Sequence, residues 1–261
     1  MNRKAFRWSV SSLFLLILFA CGGGNKQSGY LSGSAGRPKW KGINPYGMVY
    51  IPSGTLHVGK SDQDIFSSYI QKPKAISISG FYLYDTEITN NDYRQFVAYV
   101  RASLDHTLMG DIIENDDGST SSDWELDIDW TAEELSELYY QGEDRLAGNE
   151  IDVRKMIYTY SGFDISSAAM NKNAPRKSFI KKESTSIYPD TLCWIRDFAY
   201  SYNDPIAKNY FWHPAYDDYP VVGVNWSMAK AFSQWRTQLW NTNRPDEVNS
   251  EGFRLPTEYE L

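Results

Sequence analysis

Cysteine is scarce in this chain of 261 residues, with Cys21 and Cys193 the only two. So small a number rules out a disulfide framework, and the paired spacing of a structural zinc site is absent. Basic charge is also short. There are 26 Lys and Arg against 33 Asp and Glu, for a net charge of −7, whereas a nucleic-acid binder needs a basic face to meet a phosphate backbone. No nucleic-acid partner is expected. Neither a Walker loop nor a Gly-x-Gly-x-x-Gly turn occurs, and no internal repeat is visible. Long apolar runs are missing as well: the mostly apolar stretch from Val10 to Ala20 covers eleven residues, about half of the ~20 that a membrane-spanning helix requires.

What is present begins with an address. Arg3, Lys4 and Arg7 precede that short apolar run, which makes residues 1–20 a signal peptide. Leu18-Phe19-Ala20-Cys21 resembles a lipobox, in which cleavage leaves Cys21 as the N-terminal residue that takes diacylglycerol and an acyl chain. Several acyl chains on one residue hold a protein to a bilayer stably, while a single chain gives marginal binding. Cys21 is therefore expected to be an anchor in membrane lipid. Residues 21–43, rich in Gly and Ser at first, read as a flexible tether, with Arg37 to Lys41 placing basic residues around Trp40. Residues 44–261 follow as a globular portion, and the chain's 42% hydrophobic and 15% aromatic content suffices for a core.

Met48 to Val58 predicts a hairpin turning at Pro52-Ser53-Gly54, and Lys74 to Ile88 is again strand-like, broken at Gly80. Thr89 is a helix cap, followed by Tyr93, Phe96, Val97 and Val100 at the spacing of a buried helical face. Tyr219 to Val224 predicts another strand. Asn225 or Ser227 then caps a helix whose apolar face is Met228, Phe232, Trp235 and Leu239, ending near Asn241. Near the end, Pro256-Thr257 and Glu260 form a capping box that announces a helix the chain does not go on to build, so position 261 reads as a cut.

Between these lies a long middle. From Asp111 to Asp144 there are thirteen acidic residues and no basic ones. An EF-hand does not fit, since its opening and closing ligands would be Ile113 and Trp124. Asp123 to Trp130 alternates acid and apolar residues, which predicts a half-buried strand, and Thr131 with Glu134 predicts a capped helix after it. The sign then reverses at Lys172, Arg176, Lys177, Lys181 and Lys182. Residues 188–219 hold ten aromatics, suited to a core or an interface anchor. Cys193 sits among Leu192, Trp194 and Ile195, which favours a buried inert thiol over a nucleophile paired with His213.

Four blocks in order carry a family resemblance. Gly47-Met48-Val49-Tyr50-Ile51-Pro52-Ser53-Gly54-Thr55, Phe81 to Asn90 running on to Phe96-Val97, Tyr219 to Trp226, and Arg254-Leu255-Pro256-Thr257-Glu258 resemble the formylglycine-generating enzyme, or sulfatase-modifying factor, superfamily. The resemblance implies an α+β fold with much irregular structure, related to C-type lectins, and the spacing of the blocks makes residues 104–218 a long insertion. It also implies an enzyme that oxidises a sulfatase cysteine to formylglycine with a copper-binding cysteine pair. In that family the pair lies well beyond the Arg-Leu-Pro-Thr-Glu block, so no residue here matches it, and no catalytic, cofactor or metal residue is assigned.

The lipobox, the tether, Asn44-Pro45-Tyr46-Gly47-Met48 and the run Asp85 to Val97 further resemble the GldK/PorK gliding-motility lipoproteins of the Bacteroidetes type IX secretion system. That likeness implies an outer-membrane lipoprotein on the periplasmic face, which self-associates into a ring with a GldN/PorN-type protein and is not an enzyme. The alternatives are a lipid-anchored formylglycine-generating oxidase acting on exported sulfatases and, by fold analogy, a lectin-like binding module.

Overall fold

The computed structural model describes residues 43–59, 73–114, 120–145, 150–201, 204–244 and 252–261. The signal peptide, Cys21 and nearly all of the tether lie outside them. Contacts divide the chain between Asn44 and Pro45, and residues Pro45–Leu261 form the unit described below.

Two long helices supply the centre. Helix α1 (Asn90–Met109) starts at Thr89, whose extended backbone lets its Oγ1 accept the Asp92 amide at 3.2 Å. Satisfying that otherwise unpaired N–H fixes where the helix begins. One face then buries Tyr93, Phe96, Val97 and Val100, as their helical spacing predicts. Full burial of each such side chain stabilises the fold by about 1.5–3 kcal/mol before entropy is counted. The other, α5 (Trp226–Thr242), follows three short helices in the chain; capped by Asn225 Oδ1 on the Met228 amide at 2.9 Å, it buries Ala231, Phe232 and Trp235. The two helices meet ring to ring. Tyr93 stacks on Phe232 at 5.7 Å, and Phe96 reaches Trp235 at 5.2 Å.

The strands form four two-stranded antiparallel ribbons among the described residues, and none of these extends into a larger or closed sheet. The fold is mixed α+β with short, irregular elements. The expected hairpin at Pro52-Ser53-Gly54 is not formed. Instead β1 (Met48–Ile51) pairs with β4 (Phe81–Tyr84), and β2 (Gly54–Val58) with β3 (Lys74–Ile78). Both pairings keep one register, since Ile51 faces Phe81 and Gly54 faces Ile78, so the four strands are one long ribbon interrupted at Pro52-Ser53. Proline brings no N–H to a ladder, which accounts for a break there rather than a turn. Gly80 sits across the gap, where a Cβ would collide with the Tyr50 hydroxyl.

The middle contributes β5 (Ile112–Glu114) with β6 (Thr120–Ser122), and β7 (Ile157–Phe163) with β8 (Ile180–Ser186). It also holds the short helices α2 (Ile165–Met170), α3 (Cys193–Asp197) and α4 (Pro205–Asn209). Residues 123–130 are not a strand. Asp123 Oδ1 accepts the Glu125 amide and Asp129 Oδ1 accepts both the amide and the hydroxyl of Thr131, and these local bonds turn the backbone out of the extended state. Trp124 consequently lies half-exposed on Tyr99, with ring centroids 5.0 Å apart, rather than pointing into a core. Thr131, engaged with Asp129, does not cap the following turn, which is a 3-10 helix over Glu133–Leu138 with Ala132 at its start. Residues Tyr219 to Val224 also fail to form a strand beyond the single bridge between Thr89 and Pro220. Gly223 adopts φ of +82°, and a side chain there would run into the backbone of Asp190.

Candidate functional site

Two of the family-like blocks, Phe81 to Val97 and Tyr219 to Trp226, meet at the start of α1. Asn90, fully buried, donates from Nδ2 to the carbonyls of Tyr216 at 2.9 Å and Tyr210 at 3.3 Å. Its backbone N–H donates to Tyr219 O at 2.9 Å, and the Val221 amide donates back to Ile88 O. One turn on, Arg94 donates from Nη1 to Phe211 O at 2.8 Å and forms an ion pair with Asp217. Tyr210 donates to Pro220 O at 2.6 Å. Residues 210–221, which have little regular structure, are thereby held largely by Asn90 and Arg94 of α1, in place of the ladder that a strand would supply. The aromatic rings it carries are thus presented on a fixed backbone.

A second convergence is a cavity of about 140 Å³ lined by Pro45, Tyr46, Tyr84, Arg236, Trp240 and Phe253, among others. Arg236 on α5 donates from Nε at 3.0 Å and Nη2 at 2.8 Å to the Tyr84 hydroxyl, which ties the ribbon to the helix. Phe253 packs edge-on to Trp240 and donates its amide to Thr237 Oγ1 at 2.8 Å. The volume suits a small side chain or a few waters rather than a drug-sized ligand.

The Arg254 to Glu260 segment closes on itself. Arg254 grips Glu260 through two bonds of 2.7 and 2.6 Å, and Glu260 accepts the Thr257 amide at 2.8 Å. The last bond is the reciprocal arm of the expected capping box, and the chain makes one turn there. The Arg254 guanidinium, with the Thr257 amide second, lowers the Glu260 pKa from 4.5 to about 2.

Other residues singled out in the sequence do not assemble into a reactive centre. Cys193 opens α3, where burial, with Asp190 and Asp197 adding to it, pushes the thiol pKa up and away from a nucleophilic thiolate. His213 uses Nδ1 to accept the Ala215 amide and caps the turn Pro214–Tyr216. No bond joins Cys193 to His213. The basic run occupies the far end of the β7–β8 ribbon, where Lys181 pairs with Asp164 at 2.6 Å and not with the acidic stretch. Among the described residues no three His, Cys, Asp or Glu side chains stand close enough to share a metal ion. The copper-binding pair implied by the resemblance has no counterpart there: Cys193 is a free thiol with a raised pKa, whereas copper takes thiolate.

Sequence reasoning missed a buried polar group on α1. Asp105 and His106 are almost fully enclosed, with Arg101 Nε 3.7 Å from Asp105 and His106 Nδ1 3.4 Å from Asp111. Burial raises the Asp105 pKa, opposed by Arg101 and His106. The helical period does not mark them: the face of Tyr93, Phe96, Val97 and Val100 continues through Leu104, whereas Asp105 and His106 lie on other sides of α1, His106 edge-on to Trp124.

No helix of the described residues is long and apolar enough to cross a membrane. No curated protein and no solved structure matches the chain. The sulfatase-modifying factor enzyme 1-like domain matches residues 34–261, a span that includes the ribbon, both long helices, the clamp and the closing turn, and the chain belongs to that family.

Proposed function

We propose that this protein is a structural lipoprotein of the type IX secretion and gliding-motility machinery, held to the periplasmic face of the outer membrane through Cys21. In this reading it forms a ring with further copies of itself and a GldN/PorN-type partner, and serves by being gripped. The observation that carries it is the order of parts: a basic, short apolar leader, Leu18-Phe19-Ala20-Cys21, a Gly/Ser tether, and then the family domain. The geometry adds support. Trp212, Tyr219 and Trp226 are 52%, 53% and 68% exposed on or beside the segment that Asn90 and Arg94 clamp. Rigid exposed aromatics are the side chains that most often anchor a protein interface. If the reading holds, the whole protein solubilised from outer membranes copurifies with a periplasmic partner as a large assembly. Recovery as a monomer from intact membranes overturns it.

A second reading is a lipid-anchored formylglycine-generating oxidase acting on exported sulfatases. The family match by itself favours this reading over the first, because the family is one of modifying enzymes by its description. Copper-dependent aldehyde formation on a sulfatase peptide by the intact polypeptide supports it, and the failure of that reaction with copper supplied counts against it.

A further inference from the structure

The near half of the β7–β8 ribbon joins the core through Tyr160 and Tyr158, and Phe163 and Ile180 at its far end are outside that cluster. Its inner face is fastened to α5: Lys230 pairs with Glu183 at 2.7 Å, Tyr160 donates to the same carboxylate at 2.7 Å, and Tyr158 donates to Gln238 at 3.1 Å. Beyond the Tyr160–Glu183 pair the strands continue three residues to Phe163 opposite Ile180, about 10 Å further at the rise of a strand. The connection between the strands is built around α2 and the turn Arg176–Phe179. Among the described residues the hydrogen bonds of 164–179 stay within the tip, as with Asp164 on Ser167 and Pro175 O on Ser178.

This tip combines two kinds of side chain. On α2, residues Ile165, Ser166, Ala169 and Met170 form the exposed face, and Ile165 and Met170 are 74% and 85% exposed. Phe163 and Ile180, a cross-strand pair, are half-exposed on the ribbon face turned away from α5. Around them stand the cations Lys172, Arg176, Lys177 and Lys182, all exposed and none in an ion pair among the described residues, with Lys181 paired to Asp164. Residues 161–182 thus carry five cations and one carboxylate in a chain of net charge −7. Segregation of this kind, against the sign of the whole molecule, points to an anionic partner.

We infer that the tip of the β7–β8 ribbon docks on an anionic lipid bilayer, with the lysines and Arg176 at the headgroups and Ile165 and Met170 entering the interface. Shape decides between a bilayer and an acidic protein. The apolar side chains are exposed around the end of the ribbon, whereas a helical peptide ligand takes a groove, and the cavity described above lies elsewhere, between the first ribbon and α5. A short amphipathic element with cations beside its apolar face is the form that lies in a bilayer interface. The inference rests on the tip alone and stands for a structural component and for an oxidase alike.

The test is cosedimentation of the chain from residue 22 onward, which keeps the whole unit Pro45–Leu261 and removes both the apolar leader and the acylated residue. Phosphatidylglycerol vesicles are compared with phosphatidylcholine vesicles. Binding is expected to the anionic vesicles, to fall with added salt, and to drop on the order of 100-fold in the combined K172E, R176E, K177E variant, given about fivefold per neutralised cation. Met170→Ser, which leaves the charges in place, is expected to lower binding a few-fold with the salt dependence unchanged. Thermal melting confirms that each variant folds. No binding to anionic vesicles, equal binding to both vesicle types, or binding unaltered by the triple reversal overturns the inference. Capture of polyglutamate without capture of vesicles also overturns it and assigns the tip to an acidic protein.

Discussion

The outer stretches, residues 45–103 and 219–261, and the middle, residues 104–218, hold their backbones in different ways. The outer stretches use a long ribbon and two capped helices, whose internal ladders satisfy most backbone groups. The middle uses short ribbons, single helical turns and side-chain caps. Asp123, Asp129, Asp152, Asp164 and Asp190 each accept a backbone amide two or three residues ahead. Part of the middle's acidic excess is therefore structural, since Asp is suited to this local bond. Yet the core is shared. Tyr93, Phe96, Phe232 and Trp235 come from the outer stretches, and Met156, Tyr160, Ile187 and Phe211 from the middle, in one cluster. Backbone regularity and contribution to the core are separate properties, and an insertion read from motif spacing is not a surface addition.

The largest expected effect tests that sharing. Phe96→Ala from α1 and Phe211→Ala from the middle should each cost about 3–5 kcal/mol, as buried aromatic truncations do. Urea denaturation should show one transition in both. A loss below about 1 kcal/mol for Phe211→Ala alone, within the range of surface substitutions, breaks the comparison and makes the middle an appendage. Next, Asn90→Ala removes two donors from buried carbonyls and should cost about 1–3 kcal/mol. Faster hydrogen exchange confined to residues 210–221 is the accompanying sign, and unchanged exchange there counts against the clamp. Thr89→Ala removes a helix cap and should cost about 1 kcal/mol, with Thr89→Ser nearly neutral.

The smallest effect is in pH. Hydrogen bonds from Thr131, Arg154 and Lys181 lower the pKa values of Asp129, Asp152 and Asp164, respectively, below the ordinary 3.8. A carboxylate with a depressed folded pKa contributes stability above its unfolded value and loses it as pH falls through the folded one. The middle should therefore loosen below about pH 3.8 before α1 and α5 do, read as amide exchange at successive pH values. Simultaneous loosening breaks the distinction between the two regions.

The same contrast explains what could be read from the sequence. Both long helices were legible because Thr89 and Asn225 are caps and because Tyr93, Phe96, Val97 and Val100, like Phe232 and Trp235, recur at the helical period. The strand segments around Gly80 were legible, but their partners were not: alternation marks a strand without naming its neighbour, and Pro52 looked like a turn when it is a gap in a ribbon. Trp124 to Trp130 alternated like a strand, and Asx bonds at its ends won over that pattern. The clamp was half legible. Asn90 stood in a family-like block, but nothing local shows that its amide reaches carbonyls 120 and 126 residues away. The Arg254–Glu260 turn was visible as a capping box, whereas the cavity joins four separate segments and has no local signature.

The central claim is that the domain works by being held in an assembly rather than by turning over substrate. The most direct measurement is made in a strain deleted for the gene, following secretion of type IX cargo and the formylglycine content of an exported sulfatase together. The account predicts that secretion stops while formylglycine is retained. Loss of formylglycine with secretion intact contradicts it.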